Sequence, residues 1–177
     1  SRLGIVTCLA RTRDFRSYER LGVIFPTDNK DGMLFPESID GKYYALHRPS
    51  ISSFGKPEIW LAESPNLLDW GHHRRLIGLR PNGWENNRIG GGAPPIRTPR
   101  GWLVIYHGTN LGHRYSLAAL LLDLAQPWKI LGRSARPILE PEPDCERLGL
   151  HGNCLFTGGA TVQNTTLRAN SGSTATW

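Results

Sequence analysis

Cysteine is scarce in this 177-residue chain, which has only Cys8, Cys145 and Cys154, and there is a single methionine. An odd count with no CxxC pair argues against a disulfide framework and against a zinc site. His151 stands three residues before Cys154, and His72 adjoins His73, but neither spacing supplies a four-ligand set, so no metal is expected. Long apolar runs are also missing. The longest, Leu117 to Leu122, falls far short of the ~20 residues that a spanning helix needs, so no membrane partner is expected. The start, Ser1-Arg2-Leu3-Gly4, has neither an initiator Met nor a signal-peptide pattern; it reads as a chain beginning in the middle of something, with a cytoplasmic location as the default. Gly90-Gly91-Gly92 lacks both the GK[ST] ending of a P-loop and the GxGxxG spacing. Acidic residues are outnumbered, 15 against 21 basic, giving a net charge of +6 that suits an anionic partner. No RNA- or DNA-binding motif accompanies that charge, so nucleic acid is not expected.

What is present is an internal repeat. Phe35-Pro36-Glu37 through Gly41 to His47 parallels Ala93-Pro94-Pro95 through Gly101 to His107. Gly41 and Gly101, like His47 and His107, lie 60 residues apart. In each copy a proline precedes a short strand, a turn carries glycine, and an aromatic-rich strand ends in histidine. A third copy begins at Leu155-Phe156-Thr157-Gly158-Gly159-Ala160. A second element also recurs. Leu9 to Phe15 leads to Tyr18 and Gly22, Leu61 to Leu67 leads to Trp70 and Gly78, and Leu121 to Leu124 leads to Trp128 and Gly132. Each reads as strand, polar turn, aromatic, strand. Leu117 to Leu124, with Pro127 close behind, reads as a strand rather than a helix. Trp70 and Trp128, at equivalent positions, read as core. A period of 52 to 60 residues with several short strands per unit fits a propeller blade, so the fold class is all-β.

The blocks carrying this repeat are recognisable. Asp28-Asn29-Lys30-Asp31-Gly32-Met33-Leu34-Phe35-Pro36-Glu37 with Gly41-Lys42-Tyr43 and His47-Arg48-Pro49, then Ile89-Gly90-Gly91-Gly92-Ala93-Pro94-Pro95 with Gly101-Trp102-Leu103-Val104-Ile105-Tyr106-His107-Gly108, then Tyr115 with Leu122-Asp123-Leu124 and Pro127, stand in order and at fitting spacing. Over Leu3 to about Gly159 the chain resembles glycoside hydrolase family 130, whose members cleave β-mannosides, usually with phosphate as the attacking group. The resemblance implies a five-bladed β-propeller, of which residues 1–160 would form about two and a half to three blades. It also implies a mannose-containing oligosaccharide and inorganic phosphate as substrates, with no cofactor; an oligomer stays open. Hydrolysis of β-mannosides is the alternative within the family, and a non-catalytic propeller module the alternative outside it.

On residue type alone, Lys30 and Arg48 read as surface charges and His47 as a strand-end histidine. The resemblance turns all three towards phosphate, which wants several converging donors. It makes Asp123, Tyr106, His107 and Tyr115 sugar contacts, although Asp123 reads equally as a turn cap and the aromatics as ordinary strand residues. The family's general-acid aspartate belongs to a motif expected upstream, so residues 1–177 alone are expected not to turn over substrate. Among local substitutes, Asp31 beside Lys30 reads as an ionised carboxylate and a poor acid, and Glu37 as facing away from the axis. The glycine run reads as a place where the backbone bends. After Gly159 the pattern departs from the family's "LRIYYGA", so 161–177 is expected to be an atypical, poorly ordered tail.

Overall fold

A computed structural model of the chain describes the backbone of residues 4–50, 55–141, 154–163 and 166–172, and side chains as far as residue 160. Among these residues there are thirteen strands and no helix. The all-β expectation holds, and Leu117 to Leu122 lies within a strand.

Four antiparallel sheets follow one another along the chain. A hairpin of β1 (Thr7–Arg11) and β2 (Glu19–Phe25) leads the second sheet. That sheet has the order β3 (Asn29–Leu34), β4 (Tyr43–Pro49), β5 (Ile59–Ser64), β6 (Gly71–Ile77). The third sheet contains β7 (Arg88–Gly91), β8 (Ile96–Thr98), β9 (Gly101–Thr109), β10 (Tyr115–Leu122) and β11 (Ile130–Arg133). Its order is β11-β10-β9-β7, with β8 also pairing β9. A last hairpin joins β12 (Phe156–Gln163) to β13 (Thr166–Gly172). Part of the segment read as a poorly ordered tail therefore pairs as a strand, while residues 173–177 lie outside the described residues.

The two-residue period of a strand decides which sheets pack together. On β4, Tyr44 and Leu46 face the third sheet and Ala45 faces the first hairpin. On β9, Trp102, Val104 and Tyr106 face the second sheet, and Ile105 faces the last hairpin through Leu117 and Leu155. Alternate residues of one strand thus serve two different cores, and the sheets stack face to face in chain order.

The second repeated element has a shared physical basis in turns. Asp14 Oδ1 accepts from the Arg16 and Ser17 amides at 2.9 Å each, and Asn66 Oδ1 accepts from Leu68 and Asp69 at the same distance. Asp123 Oδ1 does the same for Ala125 and Gln126, at 3.0 and 2.9 Å. In each of these three sheets a short polar side chain closes the turn by replacing a backbone acceptor. The aromatic that follows is less uniform. Trp70 is half-buried and packs against Phe25. Trp128 is exposed, which corrects the core assignment: its ring lies beneath the Arg74 guanidinium, 5.1 Å from ring centre to carbon, rather than inside a core.

The paired turn glycines are not equivalent. Gly41 has φ +73° and open space where a Cβ would stand. Gly101 has φ +145°, and a Cβ there would meet the Leu122 carbonyl oxygen at 2.3 Å. We predict that Gly41→Ala costs about 1 kcal/mol, the left-handed penalty alone. Gly101→Ala should cost at least about twice that, because β10 must also give way. Urea unfolding of the two variants checks the order; equal losses would contradict it.

Candidate anion-binding site

His47 and Arg48 stand near the end of β4, and adjacent strand residues point to opposite faces. His47 and Arg48 therefore part company. His47 turns towards the first hairpin, where its ring stacks on Phe25 at 4.4 Å. Its Nδ1 lies 3.0 Å from Asn29 Nδ2, and its Nε2 lies 3.0 Å from His73 Nδ1. It lines a cavity of about 190 Å³ with Asn29, Trp60 and His73. Arg48 turns towards the third sheet, where its Nη1 lies 2.9 Å from Asp31 Oδ2 and 3.3 Å from His107 Nε2. The structure corrects the pairing of His47 with Arg48 at one anion: these two side chains face different intersheet spaces.

Arg48 and His107 come from different sheets and meet because β7 leaves a gap between them. A Cβ on Gly90 would fall 1.9 Å from Asp31 Oδ2, 2.7 Å from Arg48 Nη1 and 2.8 Å from His107 Cε1. A Cβ on Gly91 would collide with Met33, and one on Gly92 with Thr157. None of the three glycines has positive φ, so the run serves close approach rather than bending. Asp31 has φ +54° and sits at an irregularity of β3 between Lys30 and Met33. Such bulges re-aim side chains beside functional sites.

Around this point the structure gathers Lys30, Asp31, Arg48, Arg88, His107, Tyr115 and Phe156. Lys30 pairs with Arg48 across β3 and β4, which puts both on one face. His107, Tyr115 and Phe156 form a ring cluster, with His107 and Tyr115 each 4.7 Å from Phe156. Arg88 escaped the sequence reading. Its signal was present, since residues two apart on a strand share a face and Arg88 stands two before Gly90. Arg88 Nε is buried without a hydrogen-bond partner, as is Arg48 Nε.

The charges are unbalanced. Lys30, Arg48 and Arg88 surround a single carboxylate, and all three cations favour its ionised form. Burial outweighs them and holds the Asp31 pKa above its ordinary value. This corrects the reading of Asp31 as simply held ionised by Lys30. His107 is pushed down to about 3, by burial first and by Arg48 second, so it is neutral at pH 7. A neutral imidazole among cations is a hydrogen-bonding group that adds no charge.

Two further expectations are corrected. Tyr106 is fully buried on the opposite face of β9 from His107. Its hydroxyl donates to Glu85 Oε2 at 2.8 Å and accepts from Arg133 Nε at 3.1 Å, so it belongs to an internal ionic post and not to a sugar surface. Asp123 lies just beyond Leu122, the end of β10 remote from Tyr115, with its carboxylate closing a turn. Its equivalents in the repeat, Asp14 and Asn66, do the same. Glu37 is exposed and pairs with Arg97 at 2.8 Å, away from the cluster.

The buried histidines set a pH response. His47 is also pushed down to about 3, by burial first and His73 second. Both rings are harder to protonate folded than unfolded, where the pKa is near 6.5. Their stabilisation is therefore present above pH 6.5 and lost as the pH falls from there towards 3. We predict a decline of up to about 1.4 kcal/mol per pH unit for each histidine across that window. Denaturant titrations at pH 7, 6, 5 and 4 measure it, and His47→Gln should flatten the slope.

Comparison with known proteins gives a consistent pattern. Residues 2–175 match glycoside hydrolase family 130, described as beta-1,4-mannooligosaccharide phosphorylase. The chain is 47% identical over 167 residues to a beta-1,2-mannobiose phosphorylase of Listeria innocua, covering 94% of this chain and 47% of that protein. It is 42% identical over 160 residues to a 1,2-beta-oligomannan phosphorylase of Thermoanaerobacter sp., covering 90% and 52%. The solved Listeria innocua beta-1,2-mannobiose phosphorylase in complex with beta-1,2-mannobiose superposes with a TM-score of 0.94 at 46% identity, over 98% of this chain and 49% of that one. The chain thus spans about half the length of the relatives it matches.

Proposed function

From the premise that this chain belongs to glycoside hydrolase family 130, we propose that it supplies the phosphate side of a β-mannoside phosphorylase active site. The observation that carries this reading is the convergence of Lys30, Arg48 and Arg88 on Asp31 beside neutral His107, which Gly90 permits by having no side chain of its own. A phosphate there would meet a point charge from Lys30 and planar forks from the two arginines. A hydrolase delivers water, which needs no such charge. The four sheets are read as consecutive blades of a five-bladed propeller, with β3 and β7 innermost and the cluster beside the axis.

In an inverting phosphorolysis the attacking phosphate approaches the anomeric carbon from the face opposite the general acid. Lys30, Arg48 and Arg88 would hold the anion and offset its charge, and His107 would orient one oxygen without competing for it electrostatically. Tyr115 and Phe156 offer an apolar wall beside the sugar. Proton donation to the leaving oxygen falls to a residue outside this cluster, because Asp31 lies on the phosphate side. Identity to two β-1,2-specific relatives favours a β-1,2-linked mannoside over the β-1,4 linkage of the family description.

The test is product analysis with the full-length protein. β-1,2-Mannobiose and phosphate should give mannose 1-phosphate and mannose in equal amounts; free mannose alone, at a rate indifferent to phosphate, would refute the reading. Lys30→Ala should lower kcat/KM for phosphate by about tenfold or more, mainly through KM.

A further inference from the structure

A carboxylate is out of place in a cradle for an anion. Asp31 Oδ2 is buried against Arg48 and His107, and it stands on the spot that a Cβ at Gly90 would occupy. Two facing oxyanions cannot both be fully ionised at contact distance. If the anion arrives bearing a proton, the conflict becomes a hydrogen bond, because an ionised carboxylate only accepts and an X–OH group donates. The other groups around the anion supply no charged acceptor. Lys30, Arg48 and Arg88 only donate, the Tyr115 hydroxyl is a neutral donor and acceptor, and neutral His107 offers one acceptor nitrogen at most, with its Nε2 already 3.3 Å from Arg48 Nη1.

We propose that Asp31 determines which oxyanion the cradle accepts: it accepts a hydrogen bond from the hydroxyl of a protonated tetrahedral oxyanion, so that phosphate is bound and sulfate is rejected. The inference rests on the phosphate reading given above. Inorganic phosphate keeps at least one P–OH at neutral pH, and sulfate keeps none. Size, shape and negative charge are otherwise alike, so the cations alone cannot separate the two. Burial strengthens the discrimination, because an unprotonated anion facing Asp31 leaves a buried acceptor unsatisfied and opposed by like charge. The position tolerates a diagnostic substitution. Asp31 has φ +54°, a conformation in which asparagine is as much at home as aspartate, so Asp31→Asn keeps the backbone while exchanging an acceptor for a group that can also donate.

Isothermal titration of the full-length protein at pH 7 and constant ionic strength, with sodium phosphate, arsenate and sulfate in turn, tests the proposal. The wild type should bind phosphate and arsenate, which both carry an acidic hydroxyl, about 10- to 100-fold more tightly than sulfate. Asp31→Asn should shrink that preference at least tenfold, chiefly by admitting sulfate. Equal binding of sulfate and phosphate by the wild type overturns the proposal, and so does a folded Asp31→Asn variant that keeps the full preference. Arsenate behaving like sulfate also overturns it, and that comparison needs no variant. Failure of the wild type to bind any of the three anions would instead defeat the underlying phosphate reading.

Discussion

Everything at this site depends on a side chain that is missing. Gly90 of β7 faces residues of β3, β4 and β9, and any Cβ there would overlap Asp31, Arg48 and His107 together. The absence lets an arginine from one sheet lie 3.3 Å from a histidine of the next. Burial then does the electrostatic work. It keeps His107 neutral, raises the Asp31 pKa and lowers that of Arg48, an effect the Asp31 carboxylate at 2.9 Å partly offsets; the guanidinium stays charged, as arginine does in proteins. A cluster with three cations, one carboxylate and buried guanidinium nitrogens left unsatisfied is an expensive arrangement for stability alone. Such arrangements are found where a ligand completes them.

A second buried ionic group has a different charge balance, with two arginines and a tyrosine hydroxyl on one carboxylate. Glu85, fully buried, pairs with Arg80 at 3.1 Å and Arg133 at 2.8 Å and accepts from Tyr106 at 2.8 Å. Arg133 also donates to the Gly78 carbonyl, tying the third sheet to the end of the second. Glu85 thereby anchors the segment that runs into Arg88, whose neighbour Asn87 donates its amide to the Thr109 carbonyl at the start of the turn before Tyr115. One ionic cluster sets two arginines on one carboxylate inside the protein, and the other brings three cations around one carboxylate.

The fold was legible because propeller-like sheets repeat, and repetition survives in sequence where single strands are ambiguous. Gly41 and Gly101 do mark equivalent turns with positive φ, and Leu117 to Leu122 does form a strand rather than a helix. The site was less legible, because register decides which face a residue takes. His47 and Arg48 are neighbours in sequence and look like a pair, yet a one-residue step sends them into different intersheet spaces. Tyr106 and His107 part in the same way. Arg88 was overlooked since it belongs to no repeated block, although its spacing to Gly90 was readable. Trp128 shows the limit of the repeat itself: equivalent positions share a backbone but not the neighbours that would bury them.

Asp31 and Asp123 make the same point through chemistry. In sequence Asp31 reads as an ionised carboxylate and a poor acid beside Lys30, and Asp123 as a sugar contact or a turn cap. Asp123 spends its oxygen on two backbone amides, as Asp14 and Asn66 do in the other sheets, so its role follows from the turn and would persist without any ligand. Asp31 has no such local use. A bulge turns it out of the ladder and a left-handed backbone holds it against two groups from other strands. Only the second arrangement sets a carboxylate beside an arginine and a neutral imidazole from other strands. Identical side chains are therefore sorted by what satisfies their oxygens at rest: a carboxylate saturated by its own turn is architecture, and one left facing cations and a neutral imidazole has capacity for a partner.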